Sequence, residues 1–200
     1  MSHIRQALLE TGLTIRRPEE LALRWSERET RDDAPPWEIF AVLLATAILG
    51  TAVYGLTMKL HAGTAAMLEG ALAMPLSAGA AWTVAFPGLY ILNSALGSKL
   101  DFSTTALAAL ITVAFGSLAM LASVPVTWFF TLALPFEAIR WLINIVVFAG
   151  VGFCMADVFS RTMTRLEPNR GTSLRVTWLA LLTVIGSELF YLSGLFDFSL

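Results

Sequence analysis

Apolar and polar positions fall into long blocks along this chain. Residues 1–36 are polar, and from Trp37 onward apolar runs of about 20 residues alternate with short polar breaks. A helix needs about 20 apolar residues to cross the hydrocarbon layer of a bilayer, so these blocks read as membrane spans. Five are predicted, at about 37–58, 70–96, 104–123, 138–159 and 176–196. The expected architecture is all-α: a polytopic transmembrane helix bundle over residues 37–198, behind a polar N-terminal tail of residues 1–36. Residues 124–135 are apolar, lie between prolines and are too short to cross alone. They read as an extension of the third span or as a re-entrant or interfacial piece, and a six-span count would need them to cross.

Within the tail, Pro18 followed by Glu19 and Glu20 has the form of a helix start, with proline and acids in the first turn. Leu21 and Trp25 then share a face among charged neighbours. Two readings follow: a short helix lying on the membrane with Trp25 as its anchor, or a solvated tail. The second span is rich in small residues. Ala73, Ser77 and Ala81 recur every fourth position, a spacing that lets helix backbones approach closely in lipid. Pro75 and Pro87 each remove a backbone donor there, which predicts a kinked helix inside the bundle.

Charge then orients the spans. Only 14% of residues are charged, against about 25% in soluble domains, and the net charge of −2 gives no basic face for nucleic acid. With five spans and a cytoplasmic N-terminus, eleven of the thirteen Lys and Arg residues fall on the inner side, leaving Lys59 and Arg140 outside. Basic residues in short cytoplasmic loops set orientation, so the C-terminus is expected outside. Long apolar helices indicate the inner (plasma) membrane, since outer-membrane proteins are barrels. The tail shows no signal-peptide core, so insertion is expected to start at the first span.

The stretch Ala71-Leu72-Ala73-Met74-Pro75-Leu76, with Phe86-Pro87-Gly88-Leu89-Tyr90, Asn93 and Leu96-Gly97-Ser98, resembles the second-span region of bacterial Yip-like multispan proteins. The ending Gly186-Ser187-Glu188-Leu189-Phe190-Tyr191, with Phe196, is similar to their last helix. Many such proteins carry an amide where Glu188 stands, and often an arginine further on that this chain lacks. The resemblance implies a bundle of about five helices over residues 37–198. Through eukaryotic relatives it also implies a link to membrane trafficking. It transfers no catalytic residue.

The remaining candidates are polar groups within spans, where the bilayer makes them costly. Glu188 lies about 12 residues into the fifth span, so its carboxylate must be protonated, paired or facing an aqueous cavity. Glu137, Arg140 and Asn144 share one face at the start of the fourth span, as an ion pair at the interface or as a polar mouth leading toward Glu188. Asn93 would satisfy a backbone group near Pro87 or Gly97, and Asp157 would pair with Arg161. Cys154 is a small packing residue, and His3 and His61 have no ligands at metal spacing. No phosphate loop, dinucleotide fingerprint or nucleophile elbow is present. The expectation is therefore a non-enzyme without a cofactor, whose surroundings are the lipid bilayer and a membrane-protein partner or further copies of itself. Its role would be that of a scaffold or accessory subunit. The alternatives are a small transporter or channel built on the Glu188 carboxylate, and a membrane-organising or trafficking role by analogy.

Overall fold

The computed structural model describes residues 17–30, 37–95, 97–134 and 136–168, with the single positions 180, 184, 188, 191 and 192. Five α-helices occupy the continuous stretches: α1 Pro18–Thr30, α2 Trp37–Met58, α3 Thr64–Ala95, α4 Phe102–Ala133 and α5 Glu137–Leu166. A 3-10 turn, Leu60–Ala62, joins α2 to α3. Helices α2 to α5 are each long and apolar enough to cross a membrane. The predicted fifth span, 176–196, lies outside the described residues except for those single positions, all of which are helical and exposed.

The helices are longer than the apolar blocks. Helices α3, α4 and α5 hold 32, 32 and 30 residues, or about 45–48 Å at 1.5 Å per residue, against a hydrocarbon layer of about 30 Å. Residues 124–133 are a continuation of α4 that runs through Pro125. They are neither a re-entrant piece nor a separate crossing, so the six-span count falls. A proline removes one donor and does not end a helix whose neighbours hold its shape. Helix α3 likewise continues through Pro75 and Pro87.

Close packing is set by glycine. A Cβ on Gly55 would meet the Gly70 carbonyl group and lie 2.7 Å from Met74 Cβ, so α2 and α3 touch backbone to backbone. A Cβ on Gly50 would lie 2.7 Å from the Ser117 carbonyl oxygen of α4. There the Ser117 hydroxyl donates across the gap to the Thr46 carbonyl at 3.0 Å. In lipid the surroundings are as apolar as the helix faces, so such van der Waals contacts and interhelical bonds hold helices together. Buried threonines cost little because their hydroxyls donate to carbonyls one turn back, as Thr51 does to Ala47 and Thr112 to Ala108.

Helix α1 closes one end of the bundle. Ala22 and Trp25 are buried against Ile39 and Leu43 of α2, Leu107 and Ile111 of α4, and Val158 of α5. The Trp25 indole stands edge-on to Phe40, at 5.0 Å between ring centroids, and its Nε1–H donates to Ser103 Oγ at 3.2 Å. Trp25 is 3% exposed, so it is an internal latch and the membrane-anchor reading fails. The last turns of α5 hold the latch from outside, with Arg161 bonded to Asp157 at 2.8 Å and 3.8 Å from Glu19. Glu167 accepts from Ser98 Oγ at 2.9 Å and from the Lys99 N–H at 3.3 Å, tying the α3–α4 turn to the end of α5.

Candidate functional site

At the end opposite α1, three helices and one turn assemble a polar group inside an apolar bundle. Tyr54 of α2 is fully buried, and its hydroxyl donates to Asn144 Oδ1 of α5 at 2.9 Å. Asn144 Nδ2 in turn donates to the Arg140 carbonyl at 3.0 Å, which fixes the amide's orientation. The edge-on ring of Phe148, at 5.7 Å between centroids, packs the other side of Tyr54. Thr127 of α4, 1% exposed, lies beside the Tyr54 hydroxyl. Its own hydroxyl has no partner of hydrogen-bond geometry.

Arg140 stands in the first turn of α5, half-buried, with its Nε–H shielded from solvent and without an acceptor. The expected Glu137–Arg140 ion pair does not form; Glu137 is exposed and no salt bridge joins the two. The 3-10 turn brings Lys59 and His61 to the same corner. Burial lowers the His61 pKa, and the positive charges of Arg140 and Lys59 lower it further, while Glu137 opposes them. The two basic residues that charge counting left outside thus both act on His61.

The other predicted residues are spread. Ser77 and Ala81 are buried on α3, and Ala73 is half-buried against the Tyr54 cluster. Pro87 is exposed. Asn93 is 1% exposed, and its carbonyl accepts the Ser98 N–H at 3.1 Å. Pro75 lines an apolar groove of about 330 Å³ between α2, α3 and α4, together with Leu44, Thr51, Thr83, Trp82 and Leu110. Both groove hydroxyls, Thr51 and Thr83, already donate within their own helices, and the rest of the lining is predominantly apolar. Glu188 is exposed, and the segment that carries it lies outside the described residues except at single positions. Among the described residues no group of three or more His, Cys, Asp or Glu side chains is placed to hold a metal.

Sequence reasoning missed Tyr54 and Thr127. A signal was present: a tyrosine flanked by Gly50 and Gly55, on a helix whose other hydrogen-bonding aromatic, Trp37, stands at its far end. Together the four apolar helices and their buried polar seam define an integral membrane protein of all-helical, multi-pass architecture. Comparison with protein-family models, with curated proteins and with solved structures gives no match.

Proposed function

We propose that the chain is a non-enzymatic scaffold or accessory subunit of a bacterial inner membrane, with its N-terminus cytoplasmic, that acts through a membrane-protein partner. One observation carries this reading. Ala180, Val184, Glu188, Tyr191 and Leu192 are helical, exposed and spaced three to four apart, so they share a face of a segment with the composition of a span. A carboxylate on the outer face of a membrane helix is costly in lipid by any scale, and a polar group from another chain removes that cost. For the orientation, Lys99, Arg161 and Arg165 lie at the end closed by α1, which carries Arg24 and is preceded by Arg17. That distribution matches the cytoplasmic excess of basic residues.

The test is extraction in mild detergent with a photo-crosslinker at Val184 or, as control, at Leu142 of α5, which is also exposed. A stoichiometric product from Val184 alone, lost in Glu188→Leu and kept in Glu188→Gln, is expected. Recovery of a lone monomer, indifferent to Glu188→Leu, would sink the reading. The Yip-like resemblance adds a membrane-organising role as an analogy of fold.

A further inference from the structure

Two acids compete for one arginine where α1 meets α5. Arg161 donates through one terminal nitrogen to Asp157, one turn back on its own helix, at 2.8 Å. Its other terminal nitrogen stands 3.8 Å from Glu19 Oε2 of α1. The first contact is a charge-assisted hydrogen bond, and the second is about 1 Å too long to be one. Glu19 Oε2 is shielded from solvent and has no hydrogen-bond partner. Its neighbour Glu20 is already bonded on its own side, by Arg17 at 2.9 Å. The bond that is made thus lies within α5, and the bond that would join α5 to α1 is not made.

Exposure shows what each bond is worth. The Asp157 side chain is 65% exposed and that of Glu19 24%. Water solvates Asp157 with or without Arg161, and an exposed pair one turn apart on a helix contributes little. A shielded carboxylate oxygen without a donor has lost its hydration for nothing, which costs more than the exposed pair returns. Arg161 nevertheless stays nearer Asp157, because neighbours one turn apart meet without moving a helix. Its guanidinium is a rigid, planar fork, so holding one nitrogen limits how far the other can advance. With Asp157 neutral, the pull along α5 is gone and the pull toward Glu19 remains.

We propose that Asp157 restrains Arg161, so that α1 is a latch stopped about 1 Å short of full closure, and that neutralising Asp157 closes it. Closure matters because α1 covers the apolar seat made by Ile39, Leu43, Leu107, Ile111 and Val158. The tightness of the latch sets how often that seat opens. The device is independent of the Glu188 face.

The full chain in detergent is digested with trypsin, and cleavage is followed at Arg24, an exposed residue of α1. Amide exchange across Pro18–Thr30 is measured alongside. Where opening is fast relative to cleavage, the rate reports the undocked population. Asp157→Ala should slow cleavage about twofold to fivefold, the range for one partly exposed ion pair gained. Asp157→Asn, whose amide oxygen still accepts from Arg161, should slow it less. The gain should vanish when Glu19→Ala is added. Arg161→Gln should speed cleavage and abolish the effect of Asp157→Ala. Faster or unchanged cleavage in Asp157→Ala would mean that Asp157 props Arg161 toward α1 or does nothing, and would overturn the proposal. So would a slowing that persists with Glu19→Ala, since it would then come from α5 alone.

Discussion

Replacing Gly55 by alanine puts the backbone contact between α2 and α3 to a direct test. The added Cβ would overlap the Gly70 carbonyl oxygen and lie 2.9 Å from the Gly70 carbonyl carbon and 2.7 Å from Met74 Cβ. None of these atoms is the free end of a flexible side chain, so the helices themselves must part by roughly 1 Å to restore ordinary contact. A gap of that size forfeits about a quarter to a half of each contact's attraction. Helix propensity opposes the loss, since alanine is favoured over glycine by about 1 kcal/mol. Overpacking costs about 1–3 kcal/mol, and the net expectation is a loss of about 1–2 kcal/mol.

Two glycines calibrate the scale. Gly79 of α3 has nothing within 4 Å of its Cβ position, so Gly79→Ala should be neutral or stabilising by up to about 1 kcal/mol. At Gly116 the Cβ would meet Met155 Sδ at 2.6 Å and Cγ at 2.8 Å. Methionine is adaptable, so that substitution should cost less than about 1 kcal/mol. Reversible unfolding in mixed micelles of increasing denaturing detergent would rank the three. Equal stability of Gly55→Ala and Gly79→Ala would refute the backbone contact.

Three further outcomes are expected. Trp25→Ala should undock α1, because burial of an indole is worth about 3–5 kcal/mol and an isolated 13-residue helix is marginal in water; tryptic cleavage at Arg24 should accelerate strongly, whereas Ser103→Ala, which removes one hydrogen bond, should change it little. A double-mutant cycle of Tyr54→Phe with Asn144→Leu should give a coupling of about 0.6–1.7 kcal/mol, the range for bonds between membrane helices, and zero coupling would remove that bond from the account. His61 has a folded-state pKa below 6.5, so the unfolded chain binds the proton more readily and stability falls as pH drops below about 6.5. His61→Gln should flatten that part of the stability profile, read by thermal unfolding across the pH window, and a profile unchanged by the substitution would count against the basic corner.

Hydropathy located the helices but not their ends. Span one was legible to the residue, 37–58, because a proline pair precedes it and Lys59 follows. The third was cut at Pro125, and the second and fourth where charged residues dilute the apolar run. Residues 157–166 continue α5 with Val158, Phe159, Thr162 and Met163 buried and Asp157, Arg161 and Arg165 exposed, an amphipathic pattern that an average over the window reads as polar loop. The Pro18 helix start was visible from proline and acids alone. The burial of Trp25 was not, because its partners on α4 and α5 come from far along the chain. The same applies to the candidate site: Arg140 and Asn144 stood out as polar residues in a span, but Tyr54 and Thr127 join them only once the helices are placed.

The latch between α1 and the ends of α4 and α5 also imposes an order on biosynthesis. Val158 follows Trp25 by 133 positions. At about 5–20 residues per second the ribosome needs roughly 7–27 s to cover that distance. Through that interval the Trp25 face has only the part of its seat that α2 and then α4 provide. The indole is therefore fully covered only when α5 is in place. A chain in which α5 fails to dock keeps the Val158 side of that face open, a mark by which unfinished assembly can be read.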